Sequence, residues 1–121
     1  MKTIIVTPRP VDSTLGNSIT ARRWADILRT LGHEVAVATE WAGEDYDLFI
    51  GLHARRSNAT IKKFRQAYPN RPVIVALTGT DLYRDLPDNS EARDSLFVAT
   101  RIVALQDAAL ERLDDEARAK T

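Results

Sequence analysis

Five short runs rich in isoleucine, valine and leucine recur along this chain, and most are separated by stretches whose apolar residues repeat at helical spacing. That alternation constrains the fold more than any other feature. Strands joined through helix-length connections cannot pair as tight hairpins. They lie parallel, each reached by a crossover, and a parallel sheet needs covering on both faces. The expected strands are residues 2–7, 33–39, 47–52, 73–77 and 101–105. The third of these is nearly continuous in apolar character, as a strand buried on both faces requires.

The segments between them carry start and stop signals. A loop with Pro8, Pro10 and Gly16 follows the first strand, and Asn17 or Ser18 can cap a helix whose apolar stripe is Trp24, Ile27, Leu28 and Leu31, stopped by Gly32. Arg22, Arg23, Asp26 and Arg29 fall on the other side of that helix. Ser57 or Asn58 opens a second helix with Ile61, Phe64 and Tyr68 on one face, ended by Pro69 and Asn70. A long loop over 78–88 precedes a helix capped by Asn89 or Ser90 and bearing Leu96 and Phe97. Asp107 caps a last helix with Leu110 and Leu113 inward, followed by a charged tail.

Right-handed crossovers then give most simply a three-layer α/β sandwich with a five-stranded parallel sheet in the order 2-1-3-4-5. In that order the first and third strands are neighbours whose following connections leave to opposite faces, and the crevice outside their carboxyl ends is where such sheets bind ligands. With 121 residues and 44% hydrophobic content, the chain is expected to form one domain, residues 1–121. Seventeen basic and seventeen acidic residues cancel, so no global charge points to nucleic acid or an anionic membrane, and any positive site is local. Cysteine is absent, which removes disulfides, thiolate metal sites and cysteine nucleophiles. The first apolar run is too short for a signal peptide or a membrane span, and a cytoplasmic location is expected.

Three groups of residues converge on the expected ligand edge. Gly16 and Asn17 stand at the first helix start, where free backbone N–H groups and the helix dipole favour an anion; the plainer reading is a turn and a cap. They do not make the three-glycine dinucleotide fingerprint. His53, Arg55 and Arg56 follow the third strand, where guanidinium forks match phosphate oxygens and an imidazole can donate to an oxyanion or move a proton; a structural histidine and solvated arginines are the alternative. Thr78, Gly79, Thr80 and Asp81 follow the fourth strand, with Asp81 able to orient a basic partner or to cap a short helix. His33 begins the far-edge strand and reads as structural, and two histidines so placed cannot supply the three or four protein ligands of a metal site. The acid-x-acid run at Asp45 and Asp47 precedes the third strand and so belongs to the opposite edge. No cofactor or metal is expected. Asn58, Ala59 and Thr60 match a glycosylation acceptor, without a secretory signal to make it accessible.

Three blocks carry a resemblance. Gly16-Asn17 with Thr20-Ala21-Arg22-Arg23-Trp24-Ala25 and Leu31-Gly32-His33 is the first; Leu52-His53-Ala54-Arg55-Arg56-Ser57 is the second; Ala76-Leu77-Thr78-Gly79-Thr80-Asp81-Leu82-Tyr83-Arg84-Asp85 is the third. Together they resemble the amino-terminal half of GT-B glycosyltransferases similar to the family 4 retaining enzymes, and among these the selenosugar synthases. The resemblance covers nearly the whole chain, and its second and third blocks are specific.

The resemblance implies two Rossmann-like domains facing one another across a cleft, with a UDP-sugar such as UDP-N-acetylglucosamine held mainly by a carboxyl-terminal domain. The amino-terminal domain would supply the acceptor side, for a small phosphate-bearing acceptor such as selenophosphate. Selenium would attack the anomeric carbon and displace UDP without a required metal. Carried onto this chain, Gly16 and Asn17 would contact the donor diphosphate or the acceptor, and Arg55 and Arg56 would grip the acceptor phosphate. His53 and Asp81 would border the reacting centre as the catalytic candidates, with Thr78, Gly79 and Thr80 lining it.

The sequence departs from that pattern in ending before a second domain, so the chain by itself is expected to fold without turnover. Exposure of a surface the second domain would cover also suggests a homodimer. A receiver-type signalling domain shares the strand order, yet the places of its acidic cluster and phosphoacceptor aspartate hold Thr7-Pro8-Arg9 and Leu52-His53. A non-catalytic phosphate-binding module, or a stable scaffold without activity, remains a rival.

Overall fold

The computed structural model describes residues 1–8, 16–77, 90–104, 113 and 115–121, with backbone alone at 16–18. In chain order the elements are β1 (Lys2–Val6), α1 (Gly16–Thr30), β2 (Glu34–Ala38), β3 (Leu48–Leu52), α2 (Asn58–Ala67), β4 (Val73–Leu77), α3 (Ser90–Val98), β5 (Arg101–Ala104) and α4 (Asp115–Ala119). The five strands form one sheet, every pairing is parallel, and the order is β2-β1-β3-β4-β5. The fold is Rossmann-like, as the alternation of strand and helix signals implies.

Two apolar clusters show how the sheet is covered. On one face Ile4, Val6, Phe49, Val73 and Val75 meet Ile61 and Phe64 of α2, Ala92 and Leu96 of α3, and Ala117 of α4. On the other, Ile5, Ile50, Leu52 and Ala76 meet Ala21 and Ala25 of α1. The connections after β1 and β3 therefore leave to opposite faces. Trp41, in the link between β2 and β3, seals the first face: its ring sits 5.3 Å edge-on to Phe64, and its backbone N–H donates to Thr60 Oγ1 at 2.9 Å.

The end of α1 follows its sequence signals. Gly32 has φ 94°, His33 N–H donates to Leu28 O at 3.1 Å and Gly32 N–H to Arg29 O at 3.0 Å, the paired bonds of a Schellman stop. Its inward face departs from expectation. Ile27 and Leu31 are 57% and 67% exposed, while Ala21 and Ala25 are buried against the sheet. Small side chains let the helix approach closely, and this turns the larger stripe sideways. There Trp24, Ile27 and Leu28 form one wall of an open groove of about 260 Å³ whose other lining residues, Ile50, Ile74 and Val103, belong to β3, β4 and β5.

Other boundaries shift by small amounts. α1 begins at Gly16, so Asn17 and Ser18 lie within its first turn instead of capping it. Leu96 is buried, but Phe97 is 69% exposed. Leu113 is buried as expected, and the charged tail beyond it forms the short helix α4, whose Ala117 joins the core. Lys120 Nζ then donates to Leu96 O and Phe97 O at the end of α3, and Lys120 O accepts from Ile102 N–H. The expected cap Asp107, along with Leu110, lies outside the described residues.

Candidate functional site

Each parallel strand ends at the same rim, so the residues just past β1 and β3 are brought side by side by the strand order. Thr7 N–H extends the ladder by donating to Ala38 O at 2.9 Å, and His53 N–H extends it on the other side by donating to Ala76 O at 3.0 Å. His53 marks where β3 gives way to a turn. Its φ is 73°, the left-handed region, and its side chain is 2% exposed. A non-glycine residue in that region carries strain of roughly 1–3 kcal/mol, which persists only where neighbouring contacts hold it.

Those contacts are specific. Arg56 N–H donates to His53 Nδ1 at 3.1 Å, so that nitrogen bears no proton and the neutral ring is protonated at Nε2. Ser57 N–H donates to His53 O at 3.0 Å, and Asn58 N–H to Arg55 O at 3.3 Å. Ser57 sits at the N-cap of α2 without capping it: its hydroxyl turns back and donates to Leu52 O, tying the turn to the strand it leaves. Asn58 is likewise no cap. Its amide donates to Glu91 O and Asp94 Oδ2 and to Ser95 Oγ, at 3.0, 3.1 and 3.0 Å, which locks the start of α2 to α3. Ser95 Oγ in turn donates to Ala54 O. The turn over 53–57 is thus bonded at nearly every residue, and it presents Arg55 half-buried and Arg56 exposed.

The structure therefore brings His53, Arg55 and Arg56 to the carboxyl edge of β3, beside the end of β1. The backbone of Gly16 and Asn17 forms the first turn of α1, on the other face of the sheet from α2. Thr78, Gly79, Thr80 and Asp81 lie outside the described residues. His53 is a buried anchor whose Nδ1 lone pair is committed to Arg56 N–H, so the ring is built to donate through Nε2 and not to accept a proton at Nδ1.

One group at this edge escaped the sequence reading. Thr7 is fully buried, and its Oγ1 has no hydrogen-bond partner. No residue signal distinguishes such a threonine from any other β-former at a strand end.

The opposite edge accounts for the acid-x-acid run. Lys2 N–H donates to Asp47 Oδ2 at 2.9 Å, and Arg71 joins Asp45 in a hydrogen-bonded ion pair while donating to Tyr46 O at 2.7 Å. The bond to Asp45 raises the Arg71 guanidinium above its ordinary pKa. These acids fasten strand starts. Among the described residues no cluster of His, Asp or Glu is arranged to hold a metal ion, and no helix is long and apolar enough to cross a membrane. The groove beside α1 is wholly apolar in its lining and lies on a face of the sheet, away from the charged rim.

No protein-family model matches the chain, and no curated protein matches it.

Proposed function

We propose that this chain is the amino-terminal, acceptor-side domain of a retaining GT-B glycosyltransferase that uses a UDP-sugar. The sequence blocks favour UDP-N-acetylglucosamine as donor and a small phosphate-bearing acceptor, with selenophosphate the pairing of closest resemblance. One observation carries the reading beyond sequence: the turn over 53–57, pinned by the buried, left-handed His53, holds Arg55 and Arg56 at the rim between β1 and β3. Open α/β sheets bind ligands at that switch point, and two adjacent guanidinium groups suit a phosphate-bearing molecule.

In this role Arg55 and Arg56 fix the acceptor phosphate while its nucleophilic atom attacks the anomeric carbon, and the bond from that carbon to the UDP oxygen breaks. His53 positions the arginines by holding their turn. Gly16 and Asn17 offer backbone N–H groups at the positive end of α1, and Thr78, Gly79, Thr80 and Asp81 complete the acceptor side. A second domain supplies most donor contacts, so this chain alone binds acceptor without turnover.

Titration calorimetry with inorganic phosphate, selenophosphate and UDP-N-acetylglucosamine tests the reading. Binding of the phosphate-bearing acceptor that falls about tenfold or more in Arg55→Ala supports it, since a hydrogen bond to a charged group contributes about 1.5–3 kcal/mol. Anion binding that ignores Arg55 and Arg56 refutes it. Phosphate binding with no discrimination for selenophosphate, and no sugar transfer when a nucleotide-sugar domain is added, favours the non-catalytic module.

A further inference from the structure

We infer that the Thr7 hydroxyl is a ligand group, donating to a phosphoryl oxygen seated between the carboxyl end of β1 and the first turn of α1. This rests on the anion-binding reading above and adds to it a residue and a place. The other bonded hydroxyls of the buried interior show what is normal here: Ser57 donates to Leu52 O, Thr60 accepts from Trp41 N–H, and Ser95 donates to Ala54 O. Thr7 Oγ1, fully buried, has nothing. A buried hydroxyl without a partner is destabilising, and valine has the same shape without that penalty. The three residues before it in β1 are Ile4, Ile5 and Val6, so an aliphatic side chain is readily accommodated along this strand.

Position identifies the missing partner. Side chains alternate along β1: Val6 joins the cluster under α2, and Ile5 the cluster under α1, which turns Thr7 toward the α1 face. The crossover from β1 to β2 makes α1 run back from the carboxyl rim, so its first turn lies over the end of β1. α1 is 15 residues long and has no acidic residue in its first turn, leaving its positive end and free N–H groups unmatched. An orphaned hydroxyl below a helix start, one strand from the turn that carries Arg55 and Arg56, is a set of donors facing one anion. A phosphoryl group accepts from all of them at once.

The test uses Thr7→Val and Thr7→Ser, read by thermal melts with and without inorganic phosphate and UDP and by titration calorimetry, with Arg55→Ala alongside. Without ligand, Thr7→Val is expected to raise Tm by about 3 °C or more, because it removes the unpaired hydroxyl. It is also expected to weaken phosphate or UDP binding about tenfold, while Thr7→Ser retains most of the affinity. That opposition, a gain in stability with a loss of binding, is what a purely structural threonine would not give. Thr7→Val that binds as the parent chain does, while Arg55→Ala is impaired, overturns the inference and leaves the acceptor-domain reading standing; that result would assign the hydroxyl to a bound water. A Thr7→Val that melts lower than the parent overturns it too, by showing that the hydroxyl has a structural partner. Absence of phosphate and UDP binding to the parent chain removes both.

Discussion

His53 shows how much of the candidate site rests on single backbone angles. At φ 73° a side chain is strained unless its neighbours hold it, and here Arg56 N–H and the carbonyl of Ala76 do so. Asparagine tolerates the left-handed region and carries an oxygen that can accept from the same N–H. His53→Asn is therefore expected to lose about 1 kcal/mol in urea unfolding, and His53→Ala about 2–4 kcal/mol, since alanine leaves a cavity, an orphaned N–H and the same strain. Equal losses would mean the ring packs without holding the turn. The sequence placed His53, Arg55 and Arg56 at the correct rim because strand ends are legible from composition. It could not show that the imidazole serves first as an internal hydrogen-bond acceptor, because a left-handed histidine has no signature comparable to a glycine. Thr7 was opaque for a related reason: threonine is an ordinary β-former, and only its unpaired burial marks it.

Among elements, the junction of β3 with α2 decides where the arginines stand. Gly51 makes this junction close. A Cβ built on it would sit 3.0 Å from a ring carbon of Phe49 and 3.2 Å from Ile61 Cγ1, both side chains fully buried. Gly51→Ala is expected to destabilise by about 1–3 kcal/mol through overpacking, and to weaken phosphate binding more than a surface change such as Lys63→Ala does, because α2 and the turn before it move off the strand. Chemical denaturation with calorimetry on the folded variant would check both. Asn58→Ala should lower stability by about 1–3 kcal/mol in the same assay, having removed the amide that joins α2 to Glu91, Asp94 and Ser95 of α3. The strands were readable because β-branched runs buried on both faces have few other interpretations, and Gly32 was readable because a helix stop needs its positive φ. The orientation of α1 was not. Its stripe of Trp24, Ile27, Leu28 and Leu31 is the strongest apolar signal on the helix, yet the alanines at 21 and 25 won the sheet, since close approach between helix and sheet favours small residues over large ones. The helix α4 was read as tail because five residues with one buried alanine contain no period to detect.

At the scale of the molecule, that reorientation leaves an apolar ridge beside an apolar groove. Ile27 and Leu31 project from α1, and Ile50, Ile74 and Val103 floor the groove next to them. A patch holding both a ridge and its receiving groove is self-complementary: a two-fold axis through it sets each copy's Ile27 and Leu31 into the other's groove, the isologous arrangement that closes after two subunits. Exposed apolar surface of this kind mostly marks an interface, and the charged rim is a separate place, so pairing here leaves the arginines of the turn free. Because Ile27 and Leu31 are exposed within one chain, Ile27→Lys with Leu31→Lys should change folding stability by no more than about 0.5 kcal/mol each. The same pair should abolish concentration-dependent mass in light scattering, leaving phosphate affinity unchanged. A parent chain that scatters as a monomer at every concentration would assign the ridge and groove to a different covering element. A double variant that lost phosphate binding would show instead that the α1 face and the rim are coupled through the helix whose first turn overlies Thr7.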